Sequence, residues 1–542
     1  MSLFGLFRPF LRGIAERVVR RKLGGYRVDV ATPDANKPER PSSPRSVAVV
    51  GGGLAGLTAA EALARRGFSV TVFERARSLG GKIGGGFARD PDGTEVAIDH
   101  GFHAYFRHYD NLQRLMARAG IAPMAPIDDY VIVGRDGEVL RFAGISTTPL
   151  LNVLSLGEKG FFRMREVMPR RTRTQMHELL QYDPERTFRD FDEESFATFA
   201  DRAALPPRLR RIFATFARAF FADEHRMSAA ELIRAFHFYY LSHDRGLLYD
   251  HPTGDAHSAV VAPLEQLLRS LGVRFELGYD VARLGLDDEG VRVERAGEGS
   301  AESCGLASNE AAREGARFDF CVLATHAMAT RAIAEASPDL ARSIPHAAGK
   351  LSKLQRGARY AVLRLWLDRD PCADLPVFAS TERFVLLDAV ASYHRITAAD
   401  RAWSARSGGA ALELHSYAVP DDIADADVER AMQAELSRFF PAAASARVLG
   451  SHLAIRDDFT ARHVGMAKSR PGTRTEDPRI VLAGDWVDLP VPALLMEGAC
   501  CSGLFAANAI LDAEGLSREA ISSVPLRGIF ATSDHAPAST DR

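Results

Sequence analysis

Apolar and polar positions along the chain fall into blocks of distinct period. "SVAVV" (46–50) is a β-branched run closed by glycines, "LAGLTAAEALARRG" (54–67) carries alanine and leucine suited to a helix, and "FSVTVFE" (68–74) is a second strand-like run. Strand, helix, strand in that order is a βαβ unit and predicts a parallel sheet, hence an α/β protein. Residues 150–245 read as mainly helical, with Phe213, Phe216 and Phe220 at helical spacing. Helix then strand returns at "LEQLLRSLG", "VRFELGYDV", "VRVERAG" and "FDFCVLAT"; longer strands such as "RYAVLRLWL" and "ALELHSYAV" follow between 358 and 420. The strand "RIVLAG" and the helix "GACCSGLFAANAIL" close the last quarter. No repeat of fixed period is seen.

The 542 residues leave room for several cores, and 25% charged residues with a formal net charge of −2 point away from nucleic acid as a partner. Five cysteines without a CxxC pair suggest neither a disulfide framework nor a zinc knuckle. No apolar run is long enough to span a bilayer. The start of the chain, however, interleaves Phe4, Leu6, Phe7, Phe10 and Leu11 with Arg8, Arg12, Arg17, Arg20, Arg21 and Lys22. Such a basic amphipathic helix either lies in a lipid interface or packs on its own domain. Residues 31–45 read as a flexible linker, and the Ser/Ala/Pro-rich stretch 515–542 as a disordered tail.

Gly51, Gly53 and Gly56 form GxGxxG between the first strand and its helix. The first glycine permits the turn, the second lets backbone approach a pyrophosphate, and the third lets helix and strand pack closely. Glu74 ends the second strand, where a carboxylate accepts hydrogen bonds from ribose hydroxyls. NAD and FAD share this fingerprint.

"ERARSLGGKIGG", with Arg75, Gly80, Gly81 and Lys82, resembles the second glycine motif of the flavin amine oxidase and carotenoid desaturase superfamily, which implies FAD. Gly484 and Asp485, followed by Met496, Glu497 and Ala499, resemble its C-terminal FAD motif. The resemblance implies that Leu54, Ala55, Gly101, Phe102, Val281 and Thr325 also border the cofactor. "IDHGFHAYFRHYDN" contains Asp99, His100, His103 and His108, close in sequence as metal ligands are, but no further ligand cluster completes a site. Three readings stand: a metal, buried structural histidines, or chain passing the flavin face, which is preferred; no metal is expected. "GFHAYFRHYDNLQRLM" and "LPVPALLMEGA" resemble the FAD-dependent carotenoid desaturases, most closely the β-carotene desaturase/methyltransferase (isorenieratene synthase) type, with Gly498 where that type carries Arg.

The expected fold is a Rossmann-type FAD-binding domain in three parts, 46–110, 258–335 and 471–514. An inserted α+β substrate domain comprises a mainly helical 111–257 and a sheet at 336–470, with a helical membrane-facing part and an extension at 1–45. The resemblance implies desaturation of the β-ionone rings of β-carotene with methyl migration, giving aromatic end rings. The implied partners are a carotenoid and a quinone or oxygen as electron acceptor, on a cytoplasmic, peripherally membrane-associated enzyme. His100, His103 and Tyr105 are candidates for lining the site or accepting a proton, and the aromatic run 236–241 is either tunnel wall or helix core. Linear carotene desaturation or isomerisation, amine oxidation, and flavin binding without turnover are the rival functions.

Overall fold

The computed structural model describes residues 3–296 and 316–531, with side chains from Gly13 onward except that of Met164. Cys304 and the apolar and basic side chains of residues 4–12 lie outside the described residues.

The βαβ unit forms as its pattern requires. Strands Ser46–Val50 and Ser69–Glu74 pair in parallel, and Arg274–Leu277, Phe320–Leu323 and Ile480–Leu482 complete a five-stranded parallel sheet. Alternate residues of the central strand face opposite layers, as the strand's two-residue period dictates. Val47 and Val49 pack under helices Leu54–Arg65 and Leu495–Ala513, while Ala48 and Val50 pack under Ala327–Ala336 and a three-stranded antiparallel sheet.

The second domain is a seven-stranded sheet in the order Val448–Arg456, Arg359–Leu367, Ala410–Val419, Ala389–Ser392, Phe378–Thr381, Val131–Val133, Val139–Arg141. The hairpin 131–141 comes from the segment read as mainly helical, and it pairs in parallel with Phe378–Thr381. The two substrate-domain segments are thereby one sheet. One face carries Leu363, Leu365, Leu412 and Leu414 and packs on helix Asp425–Phe439 through Val428, Met432 and Leu436. The other face looks toward the parallel sheet.

One expectation about the chain's ends changes. The stretch 515–531 is structured: Ile521–Ser523 pairs antiparallel with Val28–Ala31, and Ile521 and Val524 are buried. Arg65 and Arg66 bind Glu519, which fixes the approach to that strand. Residues 532–542 of the expected tail lie outside the described residues. Helix Leu3–Lys22 buries Val19 against the protein and exposes Ile14 and Val18 beside Arg17 and Arg21. Among the described residues no helix is long and apolar enough to cross a membrane.

Candidate active site

A cavity of about 1190 Å³ runs between the two sheets. Its polar end is built on the glycine turn between the first strand and its helix. Gly51 has φ +110°, and a Cβ there would lie 2.7 Å from the Ala324 carbonyl oxygen. A Cβ on Gly56 would lie 2.0 Å from the Gly51 carbonyl oxygen, so this residue permits helix to meet strand. Gly53 opens the helix with no side-chain cap, and its backbone bridges to Gly80. The free N–H groups of that helix turn favour an anion.

Glu74 accepts the Gly52 N–H at 2.7 Å and the Ala76 N–H at 2.8 Å, which fixes its carboxylate at the cavity wall. Lys82 lies 3.2 Å from Asp485 and 4.7 Å from the centre of the Phe459 ring. Burial acts to raise Asp485, but Lys82 and Arg462 outweigh it and hold the carboxyl below its ordinary range. Trp486 Nε1 donates to the Thr325 carbonyl at 2.9 Å, tying the last βα turn to the strand beside it. Leu54, Ala55, Arg75, Gly81, Gly101, Phe102, Val281, Gly484, Met496 and Ala499 also border the cavity.

The far end is aromatic. Tyr130, Phe142, Phe216, Tyr240 and Tyr249 line it with ring centres 4.9 to 6.1 Å apart between neighbours. Of the run 236–241, only Tyr239 and Tyr240 reach the cavity; Phe236, Phe238 and Leu241 are core. The floor is the open face of the seven-stranded sheet, with Tyr360, Val362, Phe378, His415 and Tyr417. A glycine-bordered polar cleft joined to an aromatic chamber fits a dinucleotide flavin beside a large apolar substrate.

The model for flavin containing amine oxidoreductases matches residues 54–511. A carotenoid phi-ring synthase of Streptomyces griseus is 34% identical over 489 residues, covering 89% of this chain and 91% of that protein. The chain belongs to the flavin containing amine oxidoreductase family, in its carotenoid desaturase branch. It is therefore an FAD-dependent oxidoreductase. A second carotenoid phi-ring synthase, from Chlorobaculum tepidum, is 29% identical over 91% of this chain and 92% of its own length. Cyclohexylamine oxidase from Brevibacterium oxydans shares the fold, with a TM-score of 0.59 at 16% identity over 87% of this chain and 99% of that one.

Within this flavoenzyme three expected site residues do not border the cavity. Tyr105 is buried behind the wall, because its strand neighbours Ala104 and Phe106 take the cavity face. Glu497 accepts the N–H groups of Asn111 and Leu112, each at 3.0 Å, and so caps helix Asp110–Arg118 from below. Burial pushes it up to about 7. Gly56 packs helix on strand and does not border the cavity.

His100 and His103 both line the wall. His100 bonds Tyr360, whose hydroxyl also lies 3.1 Å from Asp458. Burial lowers His100, Asp458 opposes the change, and Arg456 and Lys82 add to it. His103 is lowered to about 4, by burial first and then by His100. His108 is buried away from the cavity among Phe238, Tyr239 and His243. Among the described residues no three His, Cys, Asp or Glu side chains gather as a metal site.

Sequence reasoning missed Tyr360, Glu413, His415, Tyr417 and Asp458. The readable signal was "ALELHSYAV", a strand whose Glu, His and Tyr stand two apart and so share one face.

Proposed function

We propose that this flavoenzyme desaturates the β-ionone rings of β-carotene, with migration of a ring methyl group, to give aromatic end rings. The observation that carries the reading is the single cavity in which the glycine-bordered polar end opens directly onto the aromatic chamber. Bound there, FAD supplies a two-electron acceptor for hydride from an allylic ring carbon. The chain's part is to orient the ring and exclude water, which a wall of Tyr130, Phe142, Phe216 and Tyr240 does by shape and apolarity. Losing the hydride leaves a cation spread along the polyene. The neighbouring methyl shifts toward it, and proton loss then restores the double bond.

The polar end fits the adenine dinucleotide through Gly51, Gly53, Glu74 and the Gly80–Gly81 turn, with Lys82 near its phosphates and Val281 beside the adenine. His100 and His103 line the reacting end. A quinone or oxygen would serve as the final electron acceptor. The substrate is collected from a cytoplasmic membrane surface, where Ile14 and Val18 on the N-terminal helix, with Arg17 and Arg21, meet lipid. Thr148, one residue beyond the cavity-lining Thr147, donates to Glu16 of this helix at 3.2 Å.

Expression in a β-carotene-producing host tests the reading. The expected result is a pigment eight hydrogens lighter than β-carotene, with the absorption of aromatic end rings. Unchanged β-carotene together with amine-dependent peroxide overturns it, as does a change confined to a linear carotene.

A further inference from the structure

The strand Ala410–Val419 presents Glu413, His415 and Tyr417 on one face. His415 and Tyr417 border the cavity, and Glu413 lies behind them. Tyr417 Oη is 3.1 Å from His415 Nδ1, and His415 Nε2 is 2.8 Å from Glu413 Oε1. The other oxygen of Glu413 accepts from Arg364 at 2.8 Å, and Arg364 also donates to Asp400 at 2.9 Å.

This chain of contacts fixes where each proton sits. Burial acts to raise Glu413, but Arg364 and His415 outweigh it and bring it to about 2, so it is a carboxylate that can only accept. It takes the Nε2–H of His415, which leaves Nδ1 bare to accept from the Tyr417 hydroxyl. Burial holds the Tyr417 phenol far above its ordinary range. Its one proton is committed to His415, and its oxygen lone pairs remain for the cavity.

We propose that Tyr417, His415 and Glu413 form the proton exit of the ring reaction, with Tyr417 as the catalytic group and His415 and Glu413 as positioning residues. The proposal rests on the ring-aromatising reading. Turning one end ring into an arene removes two hydrides and two protons. FAD at the polar end would accept the hydrides one at a time, the quinone or oxygen named above taking the electrons between them. Each proton leaves a ring carbon beside the cation; the C–H electron pair becomes the new C=C bond, and Tyr417 Oη takes the proton as its own passes to His415 Nδ1. The imidazolium then faces ionised Glu413 until the proton is released to solvent.

The surrounding charges decide between this histidine and the other two. Glu413 and Asp400 carry two negative charges against the single positive charge of Arg364, so an imidazolium at His415 neutralises a buried excess. Asp99, pushed up to about 7 by burial and by Glu413, adds no opposing charge, and neighbouring Asp388 is bound by Arg218 and Arg383. His452 lies on the far side of Arg364's strand, near Arg456. His100 has the Asp458 carboxylate beside it, but burial outweighs that support, and Arg456 and Lys82 add to the lowering. His103 is held down to about 4 by burial and by His100, which outweigh the support of Glu413, and its Nδ1 has no hydrogen-bond partner.

The test uses the FAD-loaded full chain with β-carotene in liposomes and the variants Tyr417→Phe, His415→Gln and their double. Tyr417→Phe is expected to lower formation of aromatic pigment about 100-fold, with flavin content and thermal midpoint unchanged. The double variant is expected to lose no more than Tyr417→Phe alone, because the two act as one unit. Ring-deuterated substrate is expected to show a larger isotope effect on product formation in Tyr417→Phe than in the wild type. Aromatic pigment from the wild type together with an unimpaired Tyr417→Phe overturns the relay alone. Losses that multiply in the double variant overturn the coupling of Tyr417 to His415. No aromatic pigment from the wild type overturns the ring reading, and this proposal with it.

Discussion

Lys82 Nζ lies 3.2 Å from Asp485 Oδ1, joining the second glycine turn to the loop before the last helix of the flavin domain. The pair closes the polar end of the cavity with charges that belong to opposite ends of the sequence. Asp485 is nearly enclosed, whereas Lys82 keeps about a quarter of its surface in water. Lys82→Met therefore strands a buried carboxylate with only part of its compensation. The expected cost is about 2 kcal/mol of stability, below the range for a fully buried pair, and reduced flavin retention. Thermal unfolding and the visible absorbance left after gel filtration measure the two effects.

Gly53 and Gly56 separate cofactor binding from folding. A Cβ on Gly53 has its nearest neighbour at 3.9 Å, and the residue's φ of −79° suits alanine. Gly53→Ala is expected to fold with unchanged apoprotein stability while FAD affinity falls at least tenfold, about 1.4 kcal/mol. Gly56→Ala drives a methyl into backbone and is expected to yield insoluble protein. Flavin titration of the first and the soluble yield of the second check both.

Removing the Glu497 side chain orphans two buried backbone N–H groups, those of Asn111 and Leu112, while the Asn111 amide, 2.6 Å from Oε1, keeps its bond to the Ser522 carbonyl at 2.7 Å. Glu497→Ala is expected to cost about 3 kcal/mol. Urea unfolding measures the loss, and a flavin spectrum unchanged in shape shows that the residue caps a helix and does not touch cofactor.

Asp99 accepts the Ala256 N–H and the Tyr393 hydroxyl, each at 3.0 Å, and burial with the nearby Glu413 pushes it from 3.8 to about 7. The native state thus binds a proton that the unfolded chain has already released. Stability from this group is full below pH 3.8 and is lost as pH rises toward 7, by about 1.4 kcal/mol for each unit crossed. Asp99→Asn keeps the Ala256 N–H bond on its amide oxygen and reverses the Tyr393 contact, the amide nitrogen donating to the hydroxyl oxygen; it is expected to flatten the dependence of the thermal midpoint on pH across that window.

The glycine turns were legible because backbone geometry admits little else at those positions, and Glu74 because a strand's length sets its distance from the turn. Glu497 misled because one residue along a helix is a rotation of about 100°: Met496 and Ala499 face the cavity while Glu497 faces the helix beneath. Tyr105 misled by the same logic in a strand, where every second residue changes side. The spacing of Glu413, His415 and Tyr417 was readable as a shared face. Which face of which sheet would meet the cavity was not, since that follows from the parallel pairing of 131–133 with 379–381, and no local pattern encodes it.

The pairing of Val28–Ala31 with Ile521–Ser523 has a consequence in time. During synthesis the early strand waits for a partner made some five hundred positions later, whereas the helix before it meets Thr148, its partner through Glu16, far sooner. Helix and strand, adjacent in sequence, are thus fixed at widely separated times, the strand only when Ile521–Ser523 has emerged.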